Sequence, residues 1–170
     1  MIAVDGELKI RKYQPADRGA CRRLWRELTE WHRQIYQDPS IGGAHPEDLF
    51  DKHLEEVGAD RLWVAVLGSE VVGLIGLVVK KGEAEMEPLI VSQPYRRRGV
   101  GRRLVEVAVA EARRLGVRLI SVKPVARNVE AIRFFHRQGF KTLGHVELIL
   151  DLSGRAWKKG PELFGCQFYF

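Results

Sequence analysis

The sequence predicts a single α/β (α+β) domain in which helices flank a mixed central sheet of about seven strands. Runs typical of strands recur between segments with helical spacing, in the order β-α-α-β-β-β-α-β-α-β-β. Three successive strands joined by short turns favour antiparallel pairing, whereas the strand–helix–strand unit that follows favours parallel pairing. This order argues against both an up-and-down helical bundle and a doubly wound nucleotide fold.

The first part of the chain predicts one strand and two helices. Residues 8–14 alternate apolar and polar side chains, as a half-buried strand does. Pro15 opens a helix that reaches Tyr36 with apolar residues at helical spacing. Asp38-Pro39-Ser40 and Gly42-Gly43 end it. A second helix over 46–57 places Leu49, Phe50, His53, Leu54 and Val57 on one face.

The rest of the chain predicts a hairpin, two further helices and four further strands. Gly68-Ser69-Glu70 lies between two apolar runs and is typical of a hairpin turn. The run 117–122 is nearly all apolar, which predicts a central strand. In full, the predicted strands after the second helix are 61–67, 71–79, 84–91, 117–122, 140–152 and 163–170, and the helices are 99–115 and 128–138.

Composition bounds the class of protein and its compartment. The 170 residues, with 45% hydrophobic and 29% charged side chains, fit one ordinary globular domain, 1–170. No apolar run approaches the roughly 18 residues of a membrane span, and the N-terminus does not resemble a signal peptide. Cys21 and Cys166 match no metal-ligand spacing. We therefore expect a cytoplasmic protein with reduced thiols and no metal.

Residues 93–103 place glycines and arginines between a predicted strand and a predicted helix. Glycine lets the backbone approach a ligand, and the first amides of a helix favour a phosphate. Arginines pair bidentately with phosphate oxygens. The turn therefore predicts a pyrophosphate site, although a tight turn with solvated arginines would have the same sequence. Its residues of this kind are Arg96, Arg97, Arg98, Gly99, Gly101, Arg102 and Arg103.

Two other phosphate-binding motifs are excluded at this turn. A dinucleotide fingerprint needs a third glycine where Leu104 stands. It also needs an acidic residue at the end of the next strand, where the chain has Val122-Lys123. A Walker P-loop needs Gly-Lys-Ser/Thr, which the turn lacks.

A second motif runs from Asn128 to Phe140 and by itself describes a capped amphipathic helix. The two motifs, taken in order, are much more specific. Arg96-x-x-Gly99-x-Gly101 followed by Asn128-x-x-Ala131-x-x-x-Phe135-x-x-x-Gly139-Phe140 resembles the Gcn5-related N-acetyltransferase (GNAT) family. The resemblance covers the element order from about residue 8 to 152 and the motif core 84–140.

The resemblance implies an acyl-CoA N-acyltransferase fold with acetyl-CoA as cosubstrate. In this family the strand before the turn offers backbone groups to the pantetheine arm, which implies Leu89, Ile90 and Val91. The turn holds the pyrophosphate, and two positions of the second motif contact the cofactor. These implied cofactor residues are Arg96, Arg97, Arg98, Gly99, Val100, Gly101, Arg102, Arg103, Asn128 and Phe135.

The chemistry implied is attack of a neutral amine on a thioester, which needs a base. Family members often use a Glu on the strand before the turn, and Glu85 stands at a matching offset. Glu87 is the alternative, on the same face by strand alternation, and either residue could be a solvent-facing strand charge instead. Members that acetylate protein N-termini place a Glu near the position of Lys123, which argues against that subgroup.

The general acid is where the sequence departs from the family, which usually has Tyr at the position of Phe135. Phenylalanine cannot donate a proton to the departing thiolate. Either the thiolate leaves unaided or through water, or another side chain is the donor. His136, Tyr169 and Tyr36 are the alternatives.

In the family the first two helices and the last hairpin wall the acceptor site. Here these segments are rich in aromatic residues, which suits an amine with an apolar body, although Trp25 and Trp31 fit a helix core equally well. The basic segment Arg155 to Pro161 is a candidate substrate lid or homodimer contact. The side chains concerned are Trp25, Trp31, His32, Tyr36, Asp38, Trp157, Phe164, Phe168 and Tyr169.

The sequence therefore predicts an N-acetyltransferase that acts on a primary amine of a small molecule or peptide. A non-catalytic acyl-CoA-binding or sensing domain is the alternative, because of Phe135. The net charge of +6 and the arginine cluster permit a nucleic-acid-binding domain, but the cluster has no interleaved aromatic platform. We therefore expect neither nucleic acid nor membrane as a partner.

Overall fold

The structure, a computed structural model, describes residues 6–170, which divide into one compact unit up to Val122 and another over Lys123–Phe170. The first unit contains β1 (Leu8–Lys12), α1 (Arg18–Tyr36), α2 (Asp48–Val57), β2 (Leu62–Leu67), β3 (Glu70–Lys80), β4 (Glu83–Val91), α3 (Val100–Arg114) and β5 (Leu119–Ser121). The second contains α4 (Val129–Arg137), β6 (Lys159–Leu163) and β7 (Cys166–Tyr169). The four predicted helices and the first five predicted strands are present.

The first unit is built on a five-stranded sheet with the order β1-β2-β3-β4-β5. The first four strands pair antiparallel, and β5 pairs parallel to β4. The parallel pair requires a crossover, which α3 provides. The sheet is therefore mixed and mostly antiparallel, and the predicted α/β class is confirmed.

Helices lie on both faces of this sheet. Gly73 of β3 faces α3, since a Cβ there would lie 3.0 Å from Leu104 Cδ1 and 3.3 Å from Val100 Cγ1. Leu74, the next residue, belongs to a buried cluster with Leu24 of α1 and other side chains of α1 and α2. Successive side chains of a strand point to opposite faces. The helices α1 and α2 therefore cover one face and α3 covers the other.

The corner between β1 and α1 is fixed by a partly buried ion pair. Arg11 of β1 donates two hydrogen bonds to the Asp17 carboxylate, at 2.6 and 2.7 Å. The backbone amide of Gln14 donates to the same carboxylate at 2.8 Å. A bidentate pair of this kind fixes the relative orientation of the two side chains in addition to pairing their charges. The start of α1 is thereby tied to the edge strand.

The second unit differs from the prediction in its strands. The segment 140–152, predicted as a strand, has no strand residues, and the predicted strand 163–170 is one arm of the β6–β7 hairpin. A strand requires a neighbour that supplies ladder hydrogen bonds, and no described ladder includes 140–152. The sequence pattern alone could not supply that partner. The strand prediction for 140–152 was therefore wrong.

Two predictions about the sheet also need correction. About seven strands were expected in one central sheet, whereas the seven described strands divide into sheets of five and two. The apolar run 117–122 was expected to be central, but β5 is three residues long and is the last strand of the described five. Its Leu119 is 64% exposed. The apolar composition of the run 117–122 therefore did not predict its position in the sheet.

The two cysteines differ in burial. Cys21 is buried, and burial raises the pKa of its thiol to about 12, so that it stays protonated. Cys166 is exposed. No helix within residues 6–170 is long and apolar enough to cross a membrane.

Asp17→Asn should lower the free energy of unfolding by about 2 kcal/mol at pH 7, because it removes a charged partner of Arg11. The hydrogen bond from Arg11 lowers the pKa of Asp17 in the folded chain. Its stabilisation is therefore complete above the unfolded pKa of about 3.9 and is lost as the pH falls through the lower folded value.

Urea unfolding at pH 7 and pH 3 measures this effect. The difference between the unaltered chain and Asp17→Asn should be smaller at pH 3. Asp48→Asn, at a 57% exposed carboxylate, is the matched control and should change stability little. An equal difference at both pH values for Asp17→Asn would contradict the assignment.

Candidate functional site

The Gly-rich turn leaves β4 through a short 3-10 turn, Gln93–Tyr95, and enters α3 through left-handed residues. The hydroxyl of the buried Tyr95 donates to Glu70 at 2.7 Å, which anchors the turn to β3. Arg97 (φ 60°) and Gly99 (φ 81°) both have positive φ. That conformation is strained for a residue with a Cβ and not for glycine. The chain can therefore reverse and start α3 within a few residues.

The first turn of α3 presents backbone amides that have no partner inside the helix. The amide of Arg103 donates to the Gly99 carbonyl at 3.1 Å, where the helical pattern begins. The amides of Val100, Gly101 and Arg102 precede this bond and point out of the helix end. Gly99 is the N-cap residue and has no side chain to cap them. These amides and the helix dipole form an arrangement suited to an anion.

Arg96 is engaged by the protein rather than directed at solvent. Its Nε donates to the carbonyl of Val91 at 3.0 Å. Its guanidinium carbon lies 5.3 Å from the centre of the Trp31 ring, within cation–π range. Arg96 therefore links the end of β4 to the C-terminal half of α1.

Arg102 and Arg103 are also engaged within the chain. Arg103 donates to the carbonyl of Leu8 in β1 at 2.7 Å, and Arg102 pairs with Glu106 one helical turn away at 2.7 Å. The pair formed by Arg102 is exposed, so a stronger anion can replace Glu106 there at small cost. The contact made by Arg103 holds α3 on the sheet and points its side chain to β1.

Arg97 and Arg98 lie in the turn before α3. Both are exposed, and the Arg98 guanidinium lies 5.8 Å from the Tyr95 ring centre. The arginine cluster predicted as one phosphate-binding group thus separates into side chains with different neighbours. Arg97, Arg98 and Arg102 are the members best placed to meet an anion at the turn.

The strand β4 loses its β5 neighbour before it reaches the turn. The parallel pairing runs only from Glu83–Leu119 to Glu85–Ser121, whereas β4 continues to Val91. Residues 86–91 therefore have no partner in the described ladder on that side. The open side of β4 leads directly into the turn and the amides of α3.

The hydrogen-bond pattern decides which backbone groups face the open side. The amide of Ser92 donates to the Val72 carbonyl at 2.9 Å, so the backbone of Ser92 faces β3. Since these pairs alternate along antiparallel strands, the groups of Ile90 also face β3, and those of Leu89 and Val91 face away. Of the three residues that the sequence indicated, Leu89 and Val91 are the two whose backbone groups can reach a ligand there.

The two candidate carboxylates are separated by an irregularity in β4. Glu85 pairs with Val78, which packs against the buried cluster on the α1 and α2 face. The register between β3 and β4 then shifts, and Glu87 lies in the shifted stretch with an exposed side chain. Simple alternation therefore does not relate the two carboxylates. Among the described residues, no three His, Cys, Asp or Glu side chains are grouped to hold a metal ion.

The predicted acceptor wall of α1 has two parts. Trp25 packs on Phe50 of α2, with 6.2 Å between ring centres, and so serves the core. Trp31 is the partner of Arg96 and lies beside the turn instead. Burial lowers the pKa of His32, and Asp38 accepts hydrogen bonds from Ser40 in the loop after α1.

The second unit holds the other candidates. Asn128 caps α4, since its side-chain oxygen accepts from the amide of Ala131 at 3.1 Å. Phe135 is 8% exposed and packs edge-on against Phe134 and Phe140, with 5.2 and 5.6 Å between ring centres.

The remaining aromatic candidates of the second unit have their own environment. Trp157 donates to Asp151 at 2.7 Å, which fixes its ring within the unit. Tyr169, one alternative donor, is 62% exposed, and His136 is exposed as well. Tyr36, the third, is the last residue of α1 in the first unit.

Sequence reasoning missed three features of the site. His53 was placed on the apolar face of its helix without a role, although histidine on such a face is itself a signal. Gly73 and Gly76 were taken as ordinary strand residues, yet both allow close approaches of other elements. The contact between Arg96 and Trp31 joins segments far apart in the chain, so no local pattern could have indicated it.

The chain is similar to known proteins in sequence and in fold. The model of the Acetyltransferase (GNAT) family matches residues 25–140, more than half of the chain. No curated protein sequence matches it.

Solved structures with the same fold include an acetyltransferase of the GNAT family from Staphylococcus aureus Mu50, with 15% identity over 96% of this chain and 97% of that one and a TM-score of 0.68. The PaiA N-acetyltransferase from Thermoplasma acidophilum, in complex with coenzyme A, has 19% identity over 79% and 90%, with a TM-score of 0.68. The aminoglycoside N-acetyltransferase AAC(6')-Iy, in complex with CoA, has 17% identity over 89% and 99%, with a TM-score of 0.64. At these identities the similarity establishes the fold.

Gly99→Ala should lower the free energy of unfolding by about 1 to 2 kcal/mol, because alanine is strained at φ 81°. A Cβ at Gly99 would meet no atom within 4 Å, so the effect is conformational and not steric. Arg97→Gly is the matched reverse change and should be neutral or stabilising by up to about 1 kcal/mol. Urea unfolding measures both, and a neutral Gly99→Ala would contradict the turn geometry.

Proposed function

This chain belongs to the GNAT acetyltransferase family, and we propose that it transfers an acetyl group from acetyl-CoA to a primary amine of a small molecule or peptide. One observation carries the proposal: the open side of β4 at Leu89 and Val91 leads into the uncapped amides of α3. A long ligand with an anionic end and an amide-bearing arm fits this arrangement. Acetyl-CoA has both.

The residues of the first unit fit the cosubstrate at two places. The amides of Val100, Gly101 and Arg102 would hold the diphosphate, assisted by the exposed side chains of Arg97 and Arg98. The outward backbone groups of Leu89 and Val91 would hold the pantetheine arm by strand-like hydrogen bonds. The carbonyl of Val91 already accepts from Arg96, which leaves its amide for a ligand. Coenzyme A complexes of two proteins with the same fold support this choice.

The chain must take a proton from the amine before or during attack. Bound acetyl-CoA supplies the thioester carbonyl at which the amine reacts. Glu85 and Glu87 are the candidate bases, since Glu85 immediately precedes the open part of β4 and Glu87 lies within it. Carboxylates accept a proton directly or through a water molecule. An outward amide of β4 is a suitable donor to the oxygen that gains charge.

Phe135 supplies no acid at the position where the family usually has Tyr. Its ring is buried among Phe134 and Phe140, so it serves packing in its own unit. The thiol of coenzyme A has a pKa near that of free cysteine, about 8.5. Its thiolate is therefore a fair leaving group near neutral pH even when no side chain donates a proton to it. Transfer without a dedicated acid is therefore chemically reasonable. Phe135 equally favours the alternative function, a non-catalytic acyl-CoA-binding or sensing domain.

The proposed function also includes an apolar amine as acceptor and a cytoplasmic location. Aromatic side chains such as Trp31 would meet an apolar amine, and a basic segment such as Arg155 to Pro161 would serve as lid or homodimer contact. Nucleic acid is a poor partner, since Arg96 and Arg103 are engaged within the chain. The AAC(6')-Iy protein was solved with a bisubstrate analogue, CoA-S-monomethyl-acetylneamine, which supports a search among amines. A cytoplasmic location is proposed from the cysteine pattern.

Acetyl-CoA at about 100 times its dissociation constant should stabilise the chain by about 2.7 kcal/mol and raise its melting temperature. S-acetylpantetheine, which lacks the diphosphate, should raise it far less. Gly101→Asp should abolish the acetyl-CoA effect, because it places a carboxylate at the phosphate-binding amides. Gly19→Asp, at an exposed glycine near the start of α1, is the matched control and should retain it.

Equal stabilisation by the two ligands would overturn the phosphate site, and no stabilisation by acetyl-CoA at millimolar concentration would overturn the cofactor assignment. Release of free CoA with a panel of amines then separates the two functions. Amine-dependent release supports transfer. Tight binding without release for any amine supports the sensing domain.

A further inference from the structure

A buried histidine of α2 lies against the strand that carries the candidate bases. His53 is 7% exposed, and its Nε2 lies beside the backbone of Glu87 without a hydrogen bond of good geometry. Its ring packs on Trp25 of α1, with 5.1 Å between ring centres. Buried polar atoms are nearly always hydrogen-bonded, because an unpaired one destabilises the fold. Packing alone would favour leucine at this position.

The ring nitrogen points to the irregular stretch of β4. A Cβ at Gly76 would lie 3.1 Å from Nε2 of His53 and 2.3 Å from the carbonyl oxygen of Glu87. Both atoms therefore crowd the same point, at the place where the register between β3 and β4 shifts. Glycine at position 76 permits this close approach. His53 borders the shifted stretch from the helix side, and Gly76 borders it from the neighbouring strand.

The charges around the imidazole connect it to Glu87. Burial lowers the pKa of His53, whereas the carboxylate and the backbone of Glu87, and more weakly the carboxylate of Glu56, raise it. The acidic groups that raise the pKa of the ring thus belong to β4 and to α2 itself, and α1 contributes the uncharged Trp25. Both parts of Glu87 act on His53. The two residues are therefore coupled through space.

We propose that His53 is a positioning residue that holds the shifted stretch of β4, and with it the Glu87 carboxylate, where the acceptor amine loses its proton. The proposal rests on the proposed acetyl transfer and selects Glu87 over Glu85 as the base. His53 lies against the backbone of Glu87, so it acts through that residue. Loss of the ring removes the helix-side contact of the stretch. A shift of about 1 Å in a reacting group can lower a rate by about 100-fold.

The test is a double-mutant cycle with acetyl-CoA and, as probe amines, tyramine, spermidine and a lysine-containing tripeptide. His53→Leu should lower kcat roughly 10- to 100-fold with an unchanged KM for acetyl-CoA. His53→Gln, which keeps a polar group near Nε2, should restore most of the rate. In the Glu87→Gln background, His53→Leu should cause no further loss, because the residue acts through Glu87. Near-UV circular dichroism and acetyl-CoA binding check the fold of every variant.

A second measurement does not require turnover. In an NMR titration of the His53 imidazole, Glu87→Gln should lower its pKa, since a negative charge is removed. Glu55→Gln, at an exposed carboxylate of α2, is the control and should leave it unchanged.

The possible results distinguish failure of the positioning role of His53 from failure of the proposed acetyl transfer. Losses that add in the cycle, a silent His53→Leu, or an unchanged His53 pKa in Glu87→Gln would overturn the positioning role while acetyl transfer stands. A rate that depends on Glu85 and not on Glu87 would do the same. Failure of every amine, despite acetyl-CoA binding, would overturn the transfer function and the positioning role together.

Discussion

The contact between α3 and the sheet at Gly73 is the constraint on which the rest of the first unit depends. A Cβ at this position would lie 3.0 Å from the Ile90 carbonyl and from Leu104, and 3.3 Å from Val100. The absence of a side chain lets the first turn of α3 pack directly on the paired ends of β3 and β4. The amides of that turn are thereby held at the end of β4, next to its open side. A larger residue would move the helix and the anion site together.

Gly76 allows a close approach on the α2 face of the sheet, as Gly73 does on the α3 face. Gly76 permits the carbonyl of Glu87 to approach β3 closely, and the shifted stretch of β4 lies against His53 at this point. Both glycines lie in β3, three residues apart, and they act on opposite faces of the sheet. One face receives α3 and the proposed cofactor contacts. The other receives α2, whose His53 lies against the backbone of the proposed proton acceptor, so a single strand organises both halves of the proposed site.

The sequence predicted the elements well where local pattern decides them and failed where distant partners do. The four helices follow from apolar spacing and breaker residues, and the Gly-rich turn follows from Gly99, whose positive φ only glycine adopts without strain. The strand over 140–152 failed because alternation cannot reveal whether a ladder partner exists. The five arginines were predicted as one phosphate-binding group. In the structure, Arg103 donates a hydrogen bond to β1 and Arg96 contacts the ring of Trp31. The register shift at Glu87 is likewise a property of two strands and not of one.

The proposed function depends on a diphosphate that binds the open amides of α3 while an amide-bearing arm lies along β4. Backbone NMR of the ¹⁵N-labelled chain, titrated with coenzyme A, tests it most directly. The amide resonances of Gly99, Val100, Gly101 and Arg102 should shift most, together with that of Val91. Binding of coenzyme A that shifts other resonances and leaves these in place would contradict the proposed site.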